Sequence, residues 1–344
     1  MSSVKINHIS SLNEPYPSPT ELEAATTTHV QGTFAISTRK LPILKSAPID
    51  AMTERLGIPI PEMIFGDNLV SITHQPTGWS IQFNAEDALD RVDKTGEKML
   101  RVAYAGEWSS SREKTSAGIS EVVKPFDWSY TTDYCGTEKA GAKDTKLHGD
   151  QHTPDIPIEL LKRRDPILFA DEVVLYESEL DDNGISIVSV KLRVMEHRML
   201  LLCRMFMRLD NVLVRVRDTR VYVDFDKEEV IREYTEREGK FEDVKTVSPN
   251  DELERDKVQH NDRFIDFDCV SKQKLFMQGL KLDQVTIALR DANQVAPLLP
   301  LIKQGVESVI LGPGISAKPT TTTRFPGQTQ FPPQTQFVRP PPPR

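Results

Sequence analysis

The chain has 344 residues, 38% of them hydrophobic and 27% charged, with a formal net charge of −8. Such a length fits one to three domains, and such a composition fits a globular protein with some unstructured sequence. The acidic balance argues against nucleic acid as the main partner, and no run of about 18 apolar residues predicts a membrane span.

The ends of the chain read as tails. Residues 1–30 are polar, rich in Ser, Thr, Glu and Pro, without periodicity and without the apolar core of a secretory leader. Residues 313–344 hold nine prolines and four basic residues (Lys318, Arg324, Arg339, Arg344) with no acid, so the rest of the chain carries −12. This composition favours polyproline-like conformers and builds no core. Its repeat spaces Phe325, Phe331 and Phe337 six apart, and its final Arg-Pro-Pro-Pro-Pro-Arg suits a proline-recognition groove. Three scattered cysteines, Cys135, Cys203 and Cys269, form no Cys-x-x-Cys pair and read as reduced thiols of a cytoplasmic or nuclear protein.

Between the tails, a first strand is predicted at 33–38. Ser46 is placed to cap a short helix over 49–57, with Pro48 in its first turn and Gly57 at its end. Strands at 69–74 and 79–84 flank a Pro76–Gly78 turn, and Asn84 caps a helix over 85–92. Residues 109–118 read as a loop, 128–134 as a strand, 136–150 as a loop and 158–164 as a short helix. Residues 172–179 and 185–194 read as strands joined through an Asn183-Gly184 hairpin turn. Residues 199–209 and 212–223 read as strands around a two-residue Asp210-Asn211 connection. On that register Leu201, Cys203, Met205, Met207 and Leu209 share a face with Val212, Val214, Val216, Asp218 and Arg220. Arg204, Phe206 and Arg208 then lie on the other face with Leu213, Arg215 and Arg217. Val230, Ile231 and Tyr234 predict a charged helix over 227–238, and 298–310 reads as a helix and a strand. The class is therefore α+β, with a central antiparallel meander and a few peripheral helices.

Catalytic signatures are absent: there is no P-loop, no Gly-x-Gly-x-x-Gly, no Gly-x-Ser-x-Gly and no His-Glu-x-x-His. His148 and His152 stand four apart, but Gly149 and Pro154 make that segment a loop, so no metal or cofactor is assigned. Asp67, Asp87, Asp127, Asp133 and Asp218 are candidates for paired-carboxylate hydrolysis only if two of them converge. The lead from the residues themselves is guanidinium density. Arg193, Arg204, Arg208, Arg215, Arg217 and Arg220 crowd one meander, where they either pair with neighbouring acids or hold an acidic or C-terminal peptide.

Six segments carry a family resemblance. They are Pro-Glu-Met-Ile-Phe-Gly-Asp-Asn at 61–68, Phe-Asn-Ala-Glu-Asp-Ala-Leu at 83–89 and Lys-Pro-Phe-Asp-Trp-Ser-Tyr-Thr-Thr-Asp-Tyr at 124–134. Ser-Val-Lys-Leu-Arg-Val at 189–194, Arg-Leu-Asp-Asn-Val-Leu-Val-Arg-Val-Arg-Asp-Thr-Arg at 208–220 and Arg-Glu-Tyr-Thr-Glu-Arg-Glu at 232–238 complete the set. In this order they resemble the TIPRL family of TOR-signalling regulators, which interact with Tap-type phosphatase scaffolds. The resemblance implies an α+β fold with a deep cleft. It also implies a non-catalytic regulator that binds type 2A phosphatase catalytic subunits, C-terminal tails included. By the same resemblance Asp87, Ile156, Val216 and Asp218 fall at partner-binding positions. Guanidinium chemistry adds Arg193, Arg204 and Arg220 for tail capture. The implied organisation is one domain over 31–312, with a polar insertion at 239–297 and a Pro-rich tail outside the resemblance. Two other readings compete: a scaffold acting through that tail, and a carboxylate hydrolase.

Overall fold

The computed structural model describes residues 17–95, 126–180, 184–210, 212–245 and 291–312. The 109–118 loop, residues 181–183 and 211 of the two hairpin connections, most of 239–297 and the tail from 313 lie outside them. So does Cys269.

Two antiparallel sheets share one apolar core. The smaller has five strands: β1 (Thr26–Gln31), β2 (Phe34–Arg39), β4 (Leu69–His74), β5 (Trp79–Asn84) and β6 (Thr137–Lys139), in the order β1-β2-β4-β5-β6. The larger has seven: β3 (Met63–Ile64), β7 (Phe169–Ser178), β8 (Gly184–Val194), β9 (Arg198–Leu209), β10 (Leu213–Asp224), β11 (Glu229–Lys240) and β12 (Leu301–Ile310), in the order β12-β11-β10-β9-β8-β7-β3. Period-2 alternation explains the core. Phe34, Ile36, Val70, Ile72, Ile81 and Phe83 face inward from the small sheet. Val188, Val190, Leu192, Leu201, Cys203, Met205 and Met207 meet them from the large one. The α+β class holds, with strands dominating and with a second sheet that the single-meander expectation does not contain.

Helices are short and peripheral. α1 (Pro19–Ala24) has a Ser18–Glu21 capping box. With β1 it places regular structure inside the stretch 1–30 that composition assigns to a tail. α2 (Ser46–Leu56) begins earlier than expected: Ser46 is its first residue and does not cap it, and Gly57 ends it at φ 69. α3 (Ala85–Asp90) is capped as expected, Asn84 accepting the Asp87 N–H, but it stops two residues short of Val92. α4 (Ile158–Leu161), α5 (Phe241–Lys245) and α6 (Ala292–Val295) are single turns.

Three expectations fail for instructive reasons. Residues 227–238 form no helix; they belong to β11, which pairs with β10 on one side and β12 on the other. Its charges, read as a solvated helical face, are cross-strand partners of the β10 arginines. Residues 128–134 form no strand, because Tyr130 sits at φ 52 and the Ser129 N–H and hydroxyl both turn back to Asp127. Finally, Leu209 pairs with Leu213, not Val212. The Val212 N–H donates to the Leu209 carbonyl, so Val212 belongs to the turn. That one-residue slip exchanges the two faces of β10 relative to β9. Leu213, Arg215, Arg217, Thr219 and Val221 now point inward. Val214, Val216, Asp218, Arg220 and Tyr222 point outward beside Arg204, Phe206 and Arg208.

Candidate functional site

The register slip creates the most charged buried feature of the outer face. It sets Asp218 directly opposite Arg204. Arg204 Nε and Nη2 donate to the two Asp218 carboxylate oxygens, both at 2.6 Å, and Nη1 donates to Asn293 Oδ1 at 2.7 Å. Arg220 approaches Asp218 at 3.6 Å and Glu233 at 3.4 Å. The Asp218 side chain is 3% exposed and that of Arg204 13%. Burial alone would raise the Asp218 pKa, but Arg204 and then Arg220 outweigh it and hold the carboxyl below its usual range. Burial likewise works against charge on Arg204, and Asp218 reverses it.

Apolar clusters bracket this ion group. On one side Val216 is buried with Phe206, Val214, Phe241 and Leu298 under α5 and α6. On the other, Ile156 seals Tyr222 and Ile231. A groove of ≈ 190 Å³ runs beside Arg204, between Ile187, Leu202 and Phe206 and the start of α6. Five of the seven expected residues, Ile156, Arg204, Val216, Asp218 and Arg220, thus gather along one surface. Ile156 and Val216 are buried beneath it and shape it.

Arg193 stays out of the ion group and stands toward the Ile156 end of the face, since its partner Leu200 lies opposite Tyr222. It lies on the same outer face but opposite Leu200, four residues along β9 from Arg204, which is roughly 13 Å at strand rise. Asp87 belongs instead to α3, directly after β5 of the small sheet. It accepts from Asn84 Nδ2 at 2.7 Å and from the Thr137 hydroxyl.

One helical turn beyond Asp87, Arg91 opens onto a second feature, a cleft of ≈ 610 Å³. Its walls are residues 91–95, Asp127, Thr131 and Asp133, with Arg215, Arg217 and Glu236 from the inner faces of β10 and β11. Arg91 pairs with Asp133 at 2.9 Å, Arg217 with Glu236 at 2.7 Å, and Arg215 with Glu238. The cleft balances cations against carboxylates. Burial pushes the Asp127 carboxyl up despite the Ser129 hydroxyl it accepts, whereas at Asp133 burial is outweighed by Arg91, which holds that carboxyl below its usual range. A charge-balanced cleft of this size offers donors and acceptors along its length and suits an extended polar peptide.

Of the carboxylates of the hydrolase reading, Asp127 and Asp133 both line the cleft, but Asp87, Asp133 and Asp218 share no pocket. Asp218 faces outward, Asp133 lines the cleft, and Asp87 is bonded to Asn84 and Thr137. Among the described residues no group of His, Cys, Asp and Glu could hold a metal ion, and no helix is long and apolar enough to cross a membrane. Sequence reasoning did not bring Arg91, Lys94, Asp127 and Thr131 into one wall. The available signal was the Lys-Pro-Phe-Asp-Trp-Ser-Tyr segment, whose irregular backbone looked like an alternating strand.

Comparison with known proteins complements this geometry. A profile of the TIP41-like family matches residues 63–245. The type 2A phosphatase activator TIP41 of Saccharomyces cerevisiae is 39% identical over 291 residues, covering 80% of this chain and 72% of its own. The TIP41-like protein of Homo sapiens is 44% identical over 220 residues, covering 64% of this chain and 79% of its own. The type 2A phosphatase activator tip41 of Schizosaccharomyces pombe is 35% identical over 214 residues, covering 61% and 81%.

Proposed function

This chain belongs to the TIP41-like family, and from that premise we propose that it is a non-catalytic regulator that binds the catalytic subunits of type 2A protein phosphatases. The observation that carries the proposal is the family match over 63–245, which holds the cleft and all of the large sheet but β12, together with the likeness to a type 2A phosphatase activator. In this reading the cleft takes the extended C-terminal tail of the catalytic subunit, and Asp87, one turn before the cleft residue Arg91, makes a separate contact. The assignment moves tail capture away from Arg204 and Arg220 on grounds of room, since the cleft arginines are paired with Asp133, Glu236 and Glu238 just as Arg204 and Arg220 are with Asp218 and Glu233. It favours the feature with room for several residues. The outer face around Asp218, supported from beneath by Ile156 and Val216, contacts the folded body of the subunit. Occupying both surfaces at once multiplies effective concentration and lets a modest tail interaction govern overall affinity. The protein works in the cytoplasm, with access to the nucleus, in TOR-linked control of phosphatase assembly, alone or with a Tap-type scaffold. A single functional domain carries the activity, extended from the expected 31–312 to take in α1 and β1, and the Pro-rich tail is dispensable for it.

Calorimetric titration with a type 2A catalytic subunit, intact and lacking its C-terminal tail, tests this. Binding that weakens on tail removal and on Arg217→Glu in the cleft is expected. No binding to either form would overturn the proposal and bring the Pro-rich tail forward as the working part, to be checked by deleting 314–344.

A further inference from the structure

Arginine usage across the fold is close to saturated. Arg39, Arg55, Arg91, Arg198, Arg204, Arg208, Arg215, Arg217, Arg220, Arg232 and Arg237 all donate to a carboxylate, a carbonyl or an amide oxygen. Among the described residues Arg163, Arg164 and Arg193 alone make no such contact, and all three are exposed. They belong to one corner of the molecule, and two adjacent aliphatic side chains stand there too: Ile167 is 53% exposed and Leu168 49%.

The corner is fastened. Arg198 Nη1 donates to the Leu160 carbonyl at 2.6 Å and pairs with Asp165 at 3.3 Å, tying the segment to the start of β9. The Leu168 N–H donates to the Val194 carbonyl at 2.8 Å, tying its other end to β8. Arg193 then sits opposite Ala170, two residues from Leu168. The Phe169 ring stacks on His29 at 5.4 Å, which holds the start of β7 against β1. Asp165 is spent on Arg198 and Glu159 on Lys162, so neither neutralises the free guanidinium groups.

We propose that this corner, Arg163, Arg164, Ile167, Leu168 and Arg193, is a docking surface for an acidic segment of a partner protein that carries apolar side chains between its carboxylates. Each free guanidinium fork matches a carboxylate, arginine is among the residues enriched at interfaces, and Ile167 and Leu168 add apolar area beside it. The pre-tied backbone lowers the entropy lost on association. An anionic bilayer fits less well: two aliphatic side chains give little insertion, and a chain of net charge −8 is repelled by it. The inference does not rest on the phosphatase reading.

The test uses the full chain and a short fluorescein-labelled peptide that alternates Asp-Glu pairs with Leu and Phe, read by fluorescence anisotropy. Binding is expected at roughly 10–100 μM, falling about tenfold with the triple variant Arg163→Glu/Arg164→Glu/Arg193→Glu and about fivefold with Ile167→Ser/Leu168→Ser. Both variants change only exposed side chains and are expected to melt like the parent. Ile167→Ser/Leu168→Ser, and Arg163→Glu/Arg164→Glu without the Arg193 change, should also keep their affinity for a type 2A catalytic subunit, so the two readings fail separately. Equal binding of a peptide with Leu and Phe replaced by Ser would overturn the proposal. So would unchanged binding by both variants, or capture of phosphatidylserine vesicles that the same variants abolish.

Discussion

Removing the Asp218 carboxylate by Asp218→Asn is expected to be among the most damaging single changes on the outer face. The carboxylate is 3% exposed and takes two 2.6 Å bonds from Arg204, itself 13% exposed, with Arg220 at 3.6 Å behind it. Asparagine preserves the shape but leaves one guanidinium buried without counter-charge. Breaking a buried pair from one side typically costs about 3–5 kcal/mol. For a domain of this size each kcal/mol lowers the melting temperature by roughly 2–4 °C, so a drop of roughly 6–20 °C is expected. The sign of the pH effect follows from the lowered Asp218 pKa. The native state holds the ionised form, so its contribution is complete above the unfolded carboxyl range near pH 4 and is lost as pH falls through the folded value. Asp218→Asn should therefore flatten the acid limb of the stability curve as well as lowering its plateau. Arg204→Met/Asp218→Leu, which removes both charges, should recover more than half of the loss. Urea unfolding of the three proteins, read by tryptophan fluorescence between about pH 3 and 8, is the assay. A loss below about 1 kcal/mol for Asp218→Asn would mean that Arg204 reaches water and that the outer face is far looser than its packing implies.

Two further outcomes bear on the sheets. At Gly184 an added Cβ would stand 1.9 Å from the Arg208 carbonyl oxygen, so Gly184→Ala must push β8 from β9; a loss of roughly 1–3 kcal/mol is expected in urea unfolding, and an unchanged midpoint would show that the two strand ends separate freely. Burial lowers the His74 pKa against the pull of Glu228, so the native state holds the neutral ring and its contribution is present above about pH 6.5 and lost as pH falls. His74→Gln should remove a measurable part of the fall in unfolding midpoint between about pH 7.5 and 5.5, and a variant with the parent's full pH dependence would place that titration elsewhere.

Much of the fold was legible locally. The strands at 69–74 and 79–84 were expected with the ends they have, because alternation, a Pro-Gly turn and an Asn cap all act within a few residues. β11 was not legible. Val230, Ile231 and Tyr234 satisfy a helical period about as well as a strand period. What decides between them is the pairing of Glu233, Glu236 and Glu238 with Arg220, Arg217 and Arg215 one strand away. The β9–β10 register was equally undetermined. A two-residue and a three-residue connection differ by one residue in sequence, yet by the exchange of a whole face in space.

The candidate site divides along the same line. Composition argued against nucleic acid as the main partner and offered no catalytic signature, and the quoted segments pointed to the family; each of these is a property of residue types and their order. The Asp218–Arg204–Arg220 group, the cleft that joins Arg91 to Arg215 and Arg217, and the isolation of Arg163, Arg164 and Arg193 from every described acid are properties of distance. Whether a guanidinium is consumed inside the fold or left for a partner depends on which carboxylate the sheet brings within about 4 Å, since charge interaction weakens with separation and is screened where water intervenes. Residue order along the chain determined which charges this protein carries, and strand register alone decided which of them remain available.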